Sequence, residues 1–227
     1  MPLNGLTLCY DMGMQRDEVL ERVAEIGVLP VIAVPSVEAA EPLADALCAG
    51  GVAAIEVTLR NPWALDALVK IRARHPEMAI GAGTILDENQ IAAAKAAGAD
   101  FLVAPGLDVE IVRAAQAAGL PIVPGVTNPS EITRAVKLGL KTLKFFPAEC
   151  FGGVKALTLM HGPFPEVKFV PTGGMSFANI GDYLKRPFVA ACGGSYMAKG
   201  DVIAAGDWAK IAADCRRAVD IARESRG

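Results

Sequence analysis

Histidine is almost missing from this 227-residue chain, which carries two, and basic charge has no excess: 22 Lys and Arg stand against 25 Asp and Glu, a formal net charge of −3. The isoelectric point near 5.5 and the scattered basic residues exclude the clustered positive face of a nucleic-acid binder. The scarcity of histidine argues against a catalytic zinc. Such a site collects several nitrogen or thiolate ligands, whereas His75 precedes Pro76 at a helix end and His161 lies in an MHGP turn. No metal is expected. No GxSxG elbow or Ser/His/Asp set is present either. The five cysteines (Cys9, Cys48, Cys150, Cys192, Cys215) are odd in number and have no CxxC spacing, so they read as reduced, small buried hydrophobes. Mean hydropathy is positive, at +0.36, yet the longest uncharged run, Ala114 to Ser130, is broken by Pro121, Pro124 and Pro129. A membrane span is therefore not expected. Residues 1–20 have neither the basic start nor the unbroken apolar stretch of a secretory signal, and a cytoplasmic location is expected.

What the chain does have is apolar material: 52% hydrophobic against 21% charged residues, enough for one sizeable core. Eight short apolar runs begin at residues 29, 53, 79, 101, 121, 142, 168 and 189, and Ala-rich amphipathic stretches separate them. Their starts are 24, 26, 22, 20, 21, 26 and 21 residues apart, room for one strand, one helix and two short loops each. Continuous apolar strands alternating with helices indicate a parallel sheet buried on both faces, and eight such units match a (β/α)8 TIM barrel. Strand count does not by itself distinguish a closed barrel from an open doubly wound sheet. Two helices have readable ends: one from an N-cap at Ser36 to Gly50 and Gly51, the other from Asp87 to Gly98. Residues 17–27 predict an extra N-terminal helix, with Val19, Leu20, Val23 and Ile26 on one face to cover the barrel's N-terminal end. No linker interrupts the chain, so 1–227 reads as one domain with 1–16 as a leading segment.

Barrel chemistry sits at the carboxyl ends of strands, and three features fall there. In TLKFFP, Lys144 shares strand parity with Thr142 and Phe146. Facing inward, its amine would lose part of its hydration, and a desolvated amine is a nucleophile that forms a Schiff base with a ketone. Facing outward, it is a solvated surface lysine; parity leaves both open. In EVTLR, Glu56, Thr58 and Arg60 share a face. That pattern suits a deep acid/base carboxylate below an arginine that grips a substrate carboxylate, or else an internal ion pair of Glu56 with Arg60 or Lys144. Finally, PTGG and CGGS follow the last two strands. Gly173, Gly174, Gly193, Gly194 and Ser195 could cradle a phosphate, with amides of nearby helix N-termini, or could serve tight turns alone.

Together, EVTLR at 56, GAGT at 81, PGVTNPSE at 124, KFFPAE at 144, GGVKAL at 152, PTGG at 171 and GGS at 193 resemble the 2-keto-3-deoxy-6-phosphogluconate (KDPG) aldolases. That family of class I aldolases also includes 4-hydroxy-2-oxoglutarate (KHG) aldolases, and the resemblance covers residues 28–224. It implies a (β/α)8 barrel, commonly a homotrimer, that needs no external cofactor. The reaction it implies is cleavage of KDPG to pyruvate and glyceraldehyde 3-phosphate, a step of the Entner–Doudoroff route. By the same resemblance Lys144 is the Schiff-base lysine, Glu56 the general acid/base and Arg60 the carboxylate ligand. Thr84 and Thr172 line the pyruvate pocket, Phe146 packs beside the lysine, and the glycines with Ser195 bind phosphate. Pro105 joins the substrate-binding set, although Ala104 before it stands where many relatives have Ser or Thr, and Val170 replaces a frequent Cys. An isomerase or epimerase barrel would share the glycine turns without forming an imine. An aldolase for the galactonate epimer and a catalytically silent phosphosugar-binding barrel are the other readings.

Overall fold

A computed structural model describes residues 18–227. It contains eight parallel strands: β1 Val28–Ile32, β2 Ala54–Thr58, β3 Ala79–Gly83, β4 Phe101–Ala104, β5 Ile122–Val126, β6 Thr142–Phe145, β7 Lys168–Pro171 and β8 Cys192–Gly194. Hydrogen-bonded neighbours run β7-β6-β5-β4-β3-β2-β1-β8. Parallel bridges Phe169–Val189 and Thr172–Gly193 bring β7 to β8 and close the ring. The expected (β/α)8 barrel is what forms, and the open sheet is excluded.

Helices α2 (Ala40–Ala49), α3 (Ala64–Arg74), α4 (Glu88–Ala96), α5 (Val109–Ala118), α6 (Pro129–Lys137), α7 (Gly153–His161), α8 (Ile180–Leu184), α9 (Gly200–Ala204) and α10 (Trp208–Arg226) surround the strands. A further helix, α1, covers residues 18–26; the expected position 17 and the segment 1–16 lie outside the described residues. None of the described helices is long and apolar enough to cross a membrane. Asp87 caps α4, as read from the sequence, and does so through a full capping box with Gln90.

Two boundaries differ from expectation. Helix α2 begins at Ala40, and Ser36 Oγ accepts from Ala39 N at 3.3 Å in the turn before it. A helix starting at Ser36 would place Pro42 inside, where it lacks the N–H to donate and its ring clashes with the carbonyl of residue 38. The run from Val189 becomes a strand only at Cys192, because Val189 meets β7 at a single bridge before the chain pairs with β1 from Cys192 onward.

Burial decides what strand parity leaves open. Ile55, Val57, Leu143, Phe145 and Phe169 belong to the apolar layer between strands and helices. Leu29, Ala54, Ala79, Phe101, Val103, Val123 and Ala191 form a separate cluster inside the ring, joined by Val19 and Val23 of α1. Alternation then puts Glu56 and Thr58 inside with Ala54, and Lys144 inside opposite the outward Leu143 and Phe145. Helix α1 thus seals the N-terminal end with apolar side chains, as its amphipathic pattern predicts, while the carboxyl half of the interior is polar. The buried polar and charged residues of the described chain are Glu56, Thr58, Lys144 and Thr172, all on inward positions.

Candidate active site

Strands β2 and β6 lie on different parts of the ring and aim Glu56 and Lys144 at each other across its interior. Lys144 Nζ stands 3.2 Å from Glu56 Oε1 and 3.5 Å from Oε2, with 6% and 2% of the two residues exposed. A buried pair of this kind is a poor stabiliser, since desolvating two ions offsets most of their attraction. Its chemical value is higher: an amine and a carboxylate share one water-poor chamber and can exchange a proton without solvent. The ring of Phe146, just past β6, lies with its centroid 5.3 Å from Nζ and walls the amine on one side.

The neighbouring strands make room for the pair. Glu56 is in register with Gly81 of β3, and any Cβ at Gly83 would collide with the Glu56 carboxyl group. On the other side of the lysine, Gly125 is in register with Lys144, and a Cβ there would strike the carbonyl oxygen of Pro105. Pro105, at the end of β4, therefore presses against the strand next to Lys144. Glycine in a strand interior marks close approach, so GAGT and PGVT carry this signal in the sequence, although its object becomes visible only here.

Above the pair, Arg60 and Thr84 form the rim. Arg60 Nε donates to Thr84 Oγ1 at 3.2 Å, and among the described residues its terminal nitrogens make no hydrogen bond. That outer edge suits a carboxylate gripped by two parallel hydrogen bonds. Thr84 holds a left-handed backbone with φ of 63°, costly for a β-branched residue and typical of functional sites. The salt bridge seen at Glu56 is with Lys144, so the Glu56–Arg60 pairing weighed above does not form.

Thr172 and the two glycine turns complete the mouth. Thr172 is buried and bridges to Gly193, where a Cβ would lie 2.5 Å from its hydroxyl. Gly173 and Gly174 take φ of 94° and 85°, which only glycine adopts cheaply, and Ser195 is exposed beside them. The helices expected to lend their N-termini start later, at Ile180 and Gly200, so the amides on offer belong to the turns themselves.

Elsewhere, His75 bonds Asp45 at 2.7 Å and faces Cys48 Sγ at 3.7 Å, while His161 stacks on Phe188. No three His, Cys, Asp or Glu side chains gather in a metal-holding group among the described residues. Cys192 and Cys215 are buried, as expected of small hydrophobes, and burial pushes both thiols up. Cys150 is exposed and Cys48 half-buried, contrary to that expectation: Cys150 lies in the short turn Glu149–Phe151, which buries none of its residues, and Cys48 packs only partly against the core from the last turn of α2. Cys9 lies outside the described residues.

Comparison with known proteins bears on this site. A family model described as "KDPG and KHG aldolase" matches residues 19–214. A "2-dehydro-3-deoxy-phosphogluconate aldolase" of Haemophilus influenzae is 40% identical over 210 residues, 92% of this chain and 99% of that one. A "KHG/KDPG aldolase" of Escherichia coli K12 is 46% identical over 196 residues, 86% of this chain and 92% of that one. Among solved structures, a KDPG aldolase of Legionella pneumophila, with pyruvate captured as a covalent carbinolamine, matches with a TM-score of 0.85 and 40% identity over 88% of this chain and 97% of that one.

Proposed function

The chain belongs to the KDPG and KHG aldolase family, and from that premise we propose that it cleaves KDPG to pyruvate and glyceraldehyde 3-phosphate through a Schiff base on Lys144. The observation that supports Lys144 and Glu56 in these roles is their 3.2 Å approach inside the barrel's polar half. The amine, its proton passed to the carboxylate, attacks the C2 ketone to give a carbinolamine; Glu56 then returns that proton to the carbinolamine hydroxyl, which leaves as water, giving an iminium and a carboxylate free to act again. Glu56, directly or through water, takes the C4 hydroxyl proton. The C3–C4 bond breaks, its electrons flow into the iminium, and an enamine forms with release of the phosphorylated aldehyde. Protonation of the enamine at C3 and hydrolysis then free pyruvate and the amine. Arg60 and Thr84 hold the C1 carboxylate, Thr172, Pro105 and Phe146 line the pyruvate pocket, and the two glycine turns with Ser195 take the phosphate.

Reduction with borohydride in the presence of pyruvate is expected to inactivate the enzyme and add a pyruvate-derived mass to the peptide containing Lys144. Mass on another lysine, or none, would reject the mechanism and favour an isomerase-like barrel. KHG, which shares the keto-acid half, is proposed as a second substrate, and steady-state rates with KDPG, its C4 epimer and KHG rank the three.

The phosphate assignment has its own test. Ser195→Ala removes a hydroxyl donor to a charged oxygen, a contact contributing about 1.5 to 3 kcal/mol, so kcat/KM for KDPG should fall roughly 10- to 150-fold. The unphosphorylated KHG should be nearly unaffected; equal losses would mean that Ser195 serves the shared chemistry or the fold.

A homotrimer is part of the proposal. Leu159 of α7 is 80% exposed and Phe151, in the turn before it, 50%, and an interface between copies would cover them. Light scattering should give three times the 23.7 kDa chain mass, and a monomer at micromolar concentration would refute it. The proposal also includes a single domain, supported by α1 packing into the barrel's own interior, and a cytoplasmic location, where a charged phosphosugar substrate is retained.

A further inference from the structure

We propose that Asn179 and Glu149 are positioning residues that aim two backbone amides of the Gly173–Gly174 turn at the substrate phosphate, an inference that rests on the phosphate reading above. The turn is held by its carbonyls. Glu149 N donates to Gly173 O at 3.1 Å, and Asn179 Nδ2 donates to Gly174 O at 3.0 Å. Asn179 is oriented in turn by its Oδ1, which accepts from Ser176 N at 2.8 Å. A trans peptide is planar, with its N–H opposite its C=O. Fixing the carbonyl of Gly173 therefore points the N–H of Gly174 away from Glu149, and fixing that of Gly174 does the same for the N–H of Met175. Each of these two successive N–H groups is thereby turned away from the residue that holds its carbonyl, in a left-handed turn of the kind that can form an anion-binding nest.

The Glu149 side chain backs the opposite side. A Cβ at Gly174 would lie 2.5 Å from Glu149 Cγ, so the side chain lies flat against the turn's backbone. Its carboxylate accepts a hydrogen bond from Tyr183, a fully buried residue of α8. Burial, with the Glu149 hydrogen bond next in weight, pushes the Tyr183 phenol well above its ordinary range, so it stays a donor at neutral pH. Glu149 and Tyr183 thus staple the loop after β6 to the helix after β7, across the turn. Because Glu149 is otherwise exposed, its part is to hold the turn rather than to exert a charge.

The test compares KDPG with unphosphorylated KHG in steady-state assays of Asn179→Ala, Glu149→Ala, Glu149→Gln and Tyr183→Phe. Asn179→Ala frees the Gly174 carbonyl, and Glu149→Ala keeps its backbone bond to Gly173 but removes the side-chain brace and the Tyr183 staple that hold the turn in place; each should raise KM for KDPG about 10-fold or more, while kcat/KM for KHG stays within about twofold. Glu149→Gln, which still accepts from Tyr183, should restore KM for KDPG to within about threefold. Should Glu149→Ala fail to fold, Tyr183→Phe breaks the same staple with the buried ring retained, and should Asn179→Ala fail, Asn179→Asp keeps the Oδ1 acceptor while losing the Nδ2 donor to Gly174. Equal losses for both substrates, or no loss for either, overturn the proposal. Ser195→Ala in the same assay tells which level has failed: selective loss there with none at Asn179 and Glu149 rejects this inference alone. Absence of selectivity in Ser195→Ala as well rejects the phosphate reading and this inference with it.

Discussion

Replacing Lys144 by Ala is expected to abolish KDPG cleavage, by roughly 10⁴-fold or more in kcat, because no other group in the chamber can form the imine that accepts the C3–C4 electrons. The barrier without an electron sink is that of making an unstabilised carbanion. Removal of the amine also leaves the Glu56 carboxylate buried without a partner, a state that costs several kcal/mol unless the acid takes up a proton. Lost activity could then be mistaken for lost fold. The double variant Lys144→Met with Glu56→Gln separates them, since a neutral pair removes the stranded charge. It should melt near the wild type and remain inactive. If instead a folded Lys144→Ala enzyme kept more than about 1% of wild-type turnover, the pair would revert to a structural ion pair and the chemistry would belong elsewhere.

Glu56→Gln is expected to divide the reaction. The amine and the Arg60 rim remain, so imine formation with pyruvate, read by borohydride trapping, should persist. Steps that move a proton lose their base, and both exchange of the pyruvate methyl hydrogens and KDPG cleavage should slow by about 10² to 10⁴. A glutamine fits the space cleared by Gly83 and can still accept from Lys144, but it leaves the buried amine without its counter-charge, so a lower melting temperature is expected alongside the retained imine chemistry. Methyl exchange followed by NMR in deuterated water is the decisive measurement. Exchange at the wild-type rate would mean that another group, or water alone, carries the proton.

Much of the fold is legible in the sequence because it depends on local periodicity. Near-constant spacing of eight apolar runs requires one strand and one helix per unit, and the cap at Asp87 depends only on residues of its own turn. The failures are also local in origin: at Ser36 a good cap residue outweighed Pro42 six positions later, and at Val189 an apolar run continued past the point where a partner strand was available. The turn-holding residues Asn179 and Tyr183 carried no signal, and Glu149, although it closes the KFFPAE motif, gave none of its part in the turn, since each acts by where its neighbours lie and not by a spacing of its own.

By itself the sequence determined the alternation that groups Lys144 with Phe146 and Glu56 with Thr58, because a strand turns every second side chain to one face whatever surrounds it. The family resemblance rests on the same ordered motifs. Which face is the interior was decided by the tertiary structure, when Leu143, Phe145, Ile55 and Val57 were buried beneath the helices and left the alternate set no place but the barrel. Closure between β7 and β8, the 3.2 Å meeting of residues 88 positions apart, and the space that Gly83 and Gly125 leave for it arise in the same way. They depend on distances between strands that are remote along the chain, and a pattern of neighbours in sequence holds no measure of such distances.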